Sequence, residues 1–239
     1  MIRERFSHYF TSSSSRPVFI ELLVVFLGVY GAFQLERWGE ERRESRNERI
    51  LLEQLQNEVA LAEPLMEKQH QDHRDRISDI EETASILIQP VGSGELSSDQ
   101  CTAVLRISIV PWTPLTLTAL DEMVSSDVHS RLSDRELRTL LFSLRAQIRM
   151  MNSELQLVRS YQKHLPDEYP ELLQRGFASD GSRFLKCNTD GMRTSQSFMN
   201  HLVSNYMRMR GVTGNLEDEL EALKSVRHRL DQILGRTDD

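Results

Sequence analysis

The sequence predicts an all-α protein: an N-terminal transmembrane helix continuing into a long helix, then an antiparallel helical bundle. Three observations predict it. Residues 17–35, reading PVFIELLVVFLGVYGAFQL, form one apolar run. Further on, apolar residues recur at alternating spacings of three and four, the period of one helix face. Gly and Pro are scarce, at 11 and 7 of 239 residues, while Leu, Glu, Arg and Gln abound. Straight side chains lose little rotamer freedom in a helix.

The first 16 residues read as a flexible tail. From Leu22 to Phe33 no side chain is polar except the Tyr30 hydroxyl. A soluble helix is seldom apolar on every face, and a spanning helix needs about 17–25 such residues. Trp38 follows at the depth of interfacial aromatics. No small-x-small site follows the run, so a retained anchor is expected rather than a cleaved signal. Three Arg precede the run (Arg3, Arg5, Arg16) and five follow it (Arg37, Arg42, Arg43, Arg46, Arg49). That count slightly favours the large domain inside. Long domains, however, translocate regardless of charge and the first flank dominates. The orientation adopted is N-terminus inside, soluble domain outside. Glu21 is the one ionisable group in the run. It either sits near the membrane edge, beside Arg16, or makes a contact between helices in an assembly. Gly28 and Ala32, four apart, form a small-residue face that lets two such helices approach.

Residues 36–90 read as a long charged helix with a kink near Pro64. Glu40, Glu41, Glu44 and Glu48 alternate with Arg42, Arg43, Arg46 and Arg49 on its first turns. An apolar seam then begins at Leu52, Leu55, Val59, Ala62 and Met66. It breaks at Gln69, His73 and Arg76, a stretch expected to be wet or partner-facing, and resumes at Ile80 and Leu87. Residues 91–239 are expected to pack on this helix as a bundle. Short helices are predicted over 97–108 and 117–127, with an extended connection at Ile109–Pro114, because residues before Pro avoid the α region. The clearest helix covers 134–163, with a capping-box pattern at Ser133 and Glu136 and a stripe from Leu137 to Val158. A closing pair is predicted at 195–209 and 215–235, the second capped by Asn215. No period-two alternation is long enough to require a sheet.

Composition and motifs exclude more than they assign. The net charge is −7, with +1 in the first 35 residues and −8 beyond them. An acidic domain repels phosphate backbones, so nucleic acid is not an expected partner. There is no Gly-rich phosphate loop, nucleophile elbow, Cys-x-x-Cys or His-Glu-x-x-His. Glu67, His70 and His73, with Asp72 and Asp75 nearby, resemble half of a carboxylate di-metal site, but no second Glu-x-x-His completes it. His129, His164 and His201 stand without catalytic neighbours in sequence. No metal or cofactor is expected. Cys101 and Cys187 are either bridged, in an oxidising compartment, or two buried thiols.

Two resemblances stand beside these readings. Phe19-Ile20-Glu21-Leu22-Leu23-Val24-Val25 is similar to the start of type IV pilins and pseudopilins. That likeness implies Glu21 as an assembly contact, although Arg16, followed by Pro17, stands where that family's processing site has Gly. The wider resemblance is to a group of bacterial single-pass membrane proteins that has no established activity. It rests on Gln34-Leu-Glu-Arg-Trp38-Gly-Glu40-Glu41-Arg42-Arg43. It also covers Thr113-Pro114 through Thr118-Ala-Leu-Asp-Glu-Met-Val-Ser125-Ser126, and Leu132-Ser-Asp-Arg-Glu-Leu137-Arg138. Asp127 replaces a Gly common in that group. This resemblance implies an anchor in the bacterial inner membrane with a helical domain. The expectation is a non-catalytic, membrane-anchored interaction or scaffold protein, partnered by the bilayer and by a protein or a second copy through its helices. The alternatives are a pilin-like subunit and a metal-dependent enzyme.

Overall fold

A computed structural model describes residues 15–126 and 132–236, with side chains from Ile20 onward. The chain divides into two compact units, Met1–Leu51 and Leu52–Asp239. Its elements are α1 (Ser15–Leu87), α2 (Ser98–Arg106), α3 (Thr118–Ser125), α4 (Arg135–Tyr161), α5 (Leu165–Glu168), β1 (Leu173–Phe177), β2 (Arg183–Cys187), α6 (Thr189–Thr194) and α7 (Gln196–Leu234). The fold is mostly helical. The expected tail, residues 1–14 of it, lies outside the described residues, as do Asp127 and His129.

In the first unit α1 carries the apolar run. Among the described residues no helix is long and apolar enough to cross a membrane. The expected span 17–35 is therefore not met there, for a reason of length. From Ile20 to Leu35 the helix rises only about 24 Å, at 1.5 Å per residue, against a hydrocarbon core of about 30 Å. The side chains of Pro17, Val18 and Phe19 fall outside the description.

The second unit is built on three long helical stretches. Leu52, Leu55, Val59, Met66, Ile80 and Leu87 of α1 are buried, as are Leu137, Leu141, Leu144, Met151, Leu155 and Val158 of α4. The buried stripe of α7 runs from Phe198 through Met209, Leu216 and Leu223 to Leu230. Polar pairs fix the directions. Glu63 meets Arg227 at 2.9 Å, Glu67 meets Lys224 at 2.5 Å and Glu81 accepts from Tyr206 at 2.5 Å. As α1 numbers rise, α7 numbers fall, so the two run antiparallel. Asp134 with Arg229 and Glu154 with Asn215 make α4 and α7 antiparallel too.

Several expectations need correction. The charged helix continues unbroken through Pro64. Proline removes one ladder bond, but Val59 and Met66 stay buried on either side, and packing of the seam outweighs that loss. The expected closing pair is one helix, α7. Gly211 and Gly214 cost about 0.5–1 kcal/mol each inside a helix, less than the burial of Met209, Val212 and Leu216 returns. Asn215 therefore caps nothing, and its amide donates to Glu154 instead. The cap of α4 is Asp134 rather than Ser133, its carboxylate accepting from the Leu137 N–H at 2.7 Å. At the polar break in α1, Gln69 and Arg76 keep partial exposure, but His73 is not wet. His73 is fully buried, with Nε2 2.7 Å from the Pro111 carbonyl, and Arg76 donates to the Ile109 carbonyl. The extended connection lies here, and these side chains satisfy its carbonyls.

A two-stranded antiparallel hairpin, β1 with β2, also departs from the expectation of helix throughout, pairing Leu173 with Cys187 and Phe177 with Arg183. Its turn uses Gly181 at φ +81°, the left-handed region glycine tolerates. Asp180 accepts from the Ser182 N–H. The ring of Phe184 lies across Gly176, where an added Cβ would come within 2.9 Å of it.

Candidate functional site

The residues singled out by sequence fall into three separate places. The first is the apolar stretch of α1. Its large side chains are exposed in every direction, as four consecutive residues show: Leu22 at 67%, Leu23 at 45%, Val24 at 61% and Val25 at 61%. Successive residues step about 100° round a helix, so these exposures cover every face. Glu21, Gly28 and Ala32 are exposed on the same helix. The two polar groups near its end satisfy each other, Gln34 donating to the Tyr30 hydroxyl at 2.8 Å. Trp38 is 54% exposed, and the Arg42 guanidinium sits 4.1 Å from its ring centre. A cation over an indole face is attracted by the ring quadrupole. The pair joins an amphipathic ring to a positive charge.

The second place is the Glu67, His70 and His73 group, which the structure disperses. Glu67 pairs with Lys224. His70 Nε2 stands 4.0 Å from Glu217, and Asp75 accepts from Gln71. His73 turns inward to Pro111. Burial lowers its pKa, and the charges of Arg76 and His70 push the same way. The neutral ring donates through Nε2, leaving Nδ1 buried without a partner. Among the described residues no three His, Cys, Asp or Glu gather as metal ligands.

The third place is the cysteine pair. Cys101 on α2 and Cys187 at the end of β2 are joined by a disulfide across 86 residues. The Ser97–Gln100 capping box fixes the start of α2, and the Asn188 N–H donates to the Leu172 carbonyl to close the hairpin's base. Of the remaining histidines, His164 pairs with Asp167 at 2.7 Å. His201 Nδ1 lies 2.8 Å from the Tyr169 hydroxyl, which also meets Ser197 Oγ at 2.7 Å. The tyrosine hydroxyl stands between serine and histidine, so the trio satisfies a nearly buried hydroxyl.

Sequence reasoning missed three polar groups inside the bundle. Glu219 is 1% exposed, on the α7 stripe, with Oε2 unpartnered. Burial alone pushes its carboxyl up to about 7. Asn205 is fully buried; its amide donates to the Lys163 carbonyl at 2.7 Å and its oxygen accepts the Lys163 N–H. Arg193, its side chain 2% exposed, reaches Asp190 at 2.7 Å and the Ile86 carbonyl near the end of α1. Asn205 and Arg193 bind main chain far away in sequence, which no local pattern reveals. Glu219 breaks an apolar stripe at a position one turn from both Leu216 and Leu223, and that spacing is a readable signal.

No family model, curated protein or solved structure matches this chain.

Proposed function

We propose that this chain is a membrane-anchored, non-catalytic helical interaction protein. In this reading residues 17–35 lie in the cytoplasmic membrane and the bundle lies on the outer side. One observation carries the reading: the all-round exposure of the apolar residues on α1. Each such side chain gains about 1.5–3 kcal/mol on leaving water, so the ten of them from Ile20 to Leu35 favour a non-aqueous surrounding strongly. Val18 and Phe19 extend the run to eighteen residues, within the about 17–25 that a spanning helix needs. The Trp38–Arg42 pair suits the layer just beyond it. The Cys101–Cys187 disulfide supports the outward placement, because such bonds persist in oxidising compartments. Dispersal of Glu67, His70 and His73 supports an interaction role over a metal-dependent one.

Cell lysis without detergent, followed by flotation on a density gradient, tests the anchor. The full-length chain is expected to float with membranes, and Leu23→Arg with Leu27→Arg to release it. Recovery of the unmodified chain in the soluble fraction refutes the proposal. An alkaline-phosphatase fusion at the C-terminus is expected to be active; an inactive but stable fusion reverses the orientation.

A further inference from the structure

We propose that the groove between α2 and the hairpin binds an acidic, extended peptide segment of a partner protein. This deepens the interaction reading above by naming the partner's chemistry, and it does not depend on where residues 17–35 reside. The groove encloses about 630 Å³, within the roughly 300–1,000 Å³ typical of ligand clefts. Ser98, Thr102 and Leu105 form one wall, and Phe177, Arg183 and Phe184 the other.

Charge singles this place out. The chain carries −7, yet residues 173–187 hold Arg175, Arg183 and Lys186 against one acid, Asp180. Asp180 faces its own turn, accepting from the Ser182 hydroxyl at 2.6 Å. Arg175 is paired with Asp167 at 3.0 Å. Arg183, in the groove's lining, and Lys186, just outside that lining, form no ion pair among the described residues; Lys186 rests 5.7 Å from the Phe184 ring centre. Beside these cations Phe177 is 71% exposed and Phe184 37%. Phenylalanine and arginine are both enriched at protein interfaces relative to the rest of the surface. A guanidinium takes a carboxylate with two parallel hydrogen bonds, and the phenyl rings accept apolar side chains between the acids.

The geometry favours a peptide over other polyanions. One unpaired cation in the lining and a second beside it, on an acidic protein, make a weak site for nucleic acid, whose attraction scales with the phosphates neutralised. A flat lipid surface does not enter a cleft walled by a helix and a hairpin. The cleft is also held open beforehand. The Cys101–Cys187 disulfide ties α2 to the base of β2, so little ordering remains for binding to impose.

The test is fluorescence polarisation on the full chain in detergent micelles. The probes are fluorescein-labelled hexapeptides alternating Asp or Glu with Phe or Leu, and matched peptides with Lys at the acidic positions. The acidic set is expected to bind and the lysine set not. Arg183→Glu is expected to weaken binding at least about tenfold, Arg183→Ala and Phe177→Ser severalfold, with unchanged circular dichroism. Reducing the disulfide is expected to weaken binding as well. The proposal is overturned if no acidic peptide binds, if the two sets bind alike, or if folded Arg183→Glu binds as the parent does. Preference for phosphatidylglycerol vesicles or oligothymidylate over the peptides overturns it too. A negative result here leaves the flotation result standing, so the two failures are distinguishable.

Discussion

Glu219→Gln removes a buried charge while keeping the side chain's shape. The carboxyl titrates at about 7 in the folded chain against an ordinary 4.5. Between those values the folded state holds a proton that the unfolded state has lost. Stability therefore falls as pH rises from about 4.5 to 7, and levels off above that. At pH 8 the full cost is the difference converted at 1.36 kcal/mol per tenfold, about 3 kcal/mol. Below pH 4.5 both states are protonated and the cost vanishes. Glutamine is neutral throughout. The substitution is expected to stabilise the chain by about 3 kcal/mol at pH 8 and by less than about 0.5 kcal/mol at pH 4. Urea unfolding of the full chain in mild detergent, followed by far-ultraviolet circular dichroism, reads this as a midpoint shift. A shift of the same size at both pH values refutes the argument, and so does destabilisation at pH 8. In the first case the cause is packing, and in the second the carboxylate is satisfied.

Two further perturbations probe the bundle's frame. Cys101→Ser with Cys187→Ser opens an 86-residue loop, and the chain-entropy relation puts the loss at about 4–5 kcal/mol. Thermal unfolding with and without reductant checks this, and a reduced parent that melts with the oxidised one contradicts it. Asp134→Ala removes the α4 cap and the Arg229 pair, for an expected loss of about 1–2 kcal/mol at neutral pH. The hydrogen bond from Arg229 holds the Asp134 carboxyl below the usual range, with the Leu137 N–H adding to it. Its contribution is therefore present above the ordinary carboxylate pKa and disappears as pH falls through the depressed one. Denaturation midpoints of parent and variant are expected to converge in acid.

Helical seams were legible because their information is local. Leu137, Leu141 and Leu144 are three and four apart, and all three are buried. The capping residue of α2 was not singled out, although Ser97 and Gln100 carry the pattern. The hairpin escaped because five-residue strands show too little alternation, yet Asp180-Gly181 is a turn signal between them. The single helix α7 escaped because Gly211 and Gly214 lower local propensity, and only burial against α1 and α4 decides the matter. His73 shows the same limit at the candidate metal site. Its spacing from Glu67 and His70 is real, but the carbonyl that claims it belongs to Pro111, 38 residues away. The exposed run of α1 was the plainest feature of the sequence, because an apolar stripe that never turns polar needs no partner to be recognised.

Gripping the Ile109–Pro111 connector through main-chain oxygens makes the two sides of that contact unequal under mutation. At Ile109 and Pro111 any residue that holds an extended backbone offers Arg76 and His73 the same acceptors, while Val110 between them is held by the burial of its own side chain. The histidine has no such freedom: a replacement must reach as far and still donate, from a fully buried site.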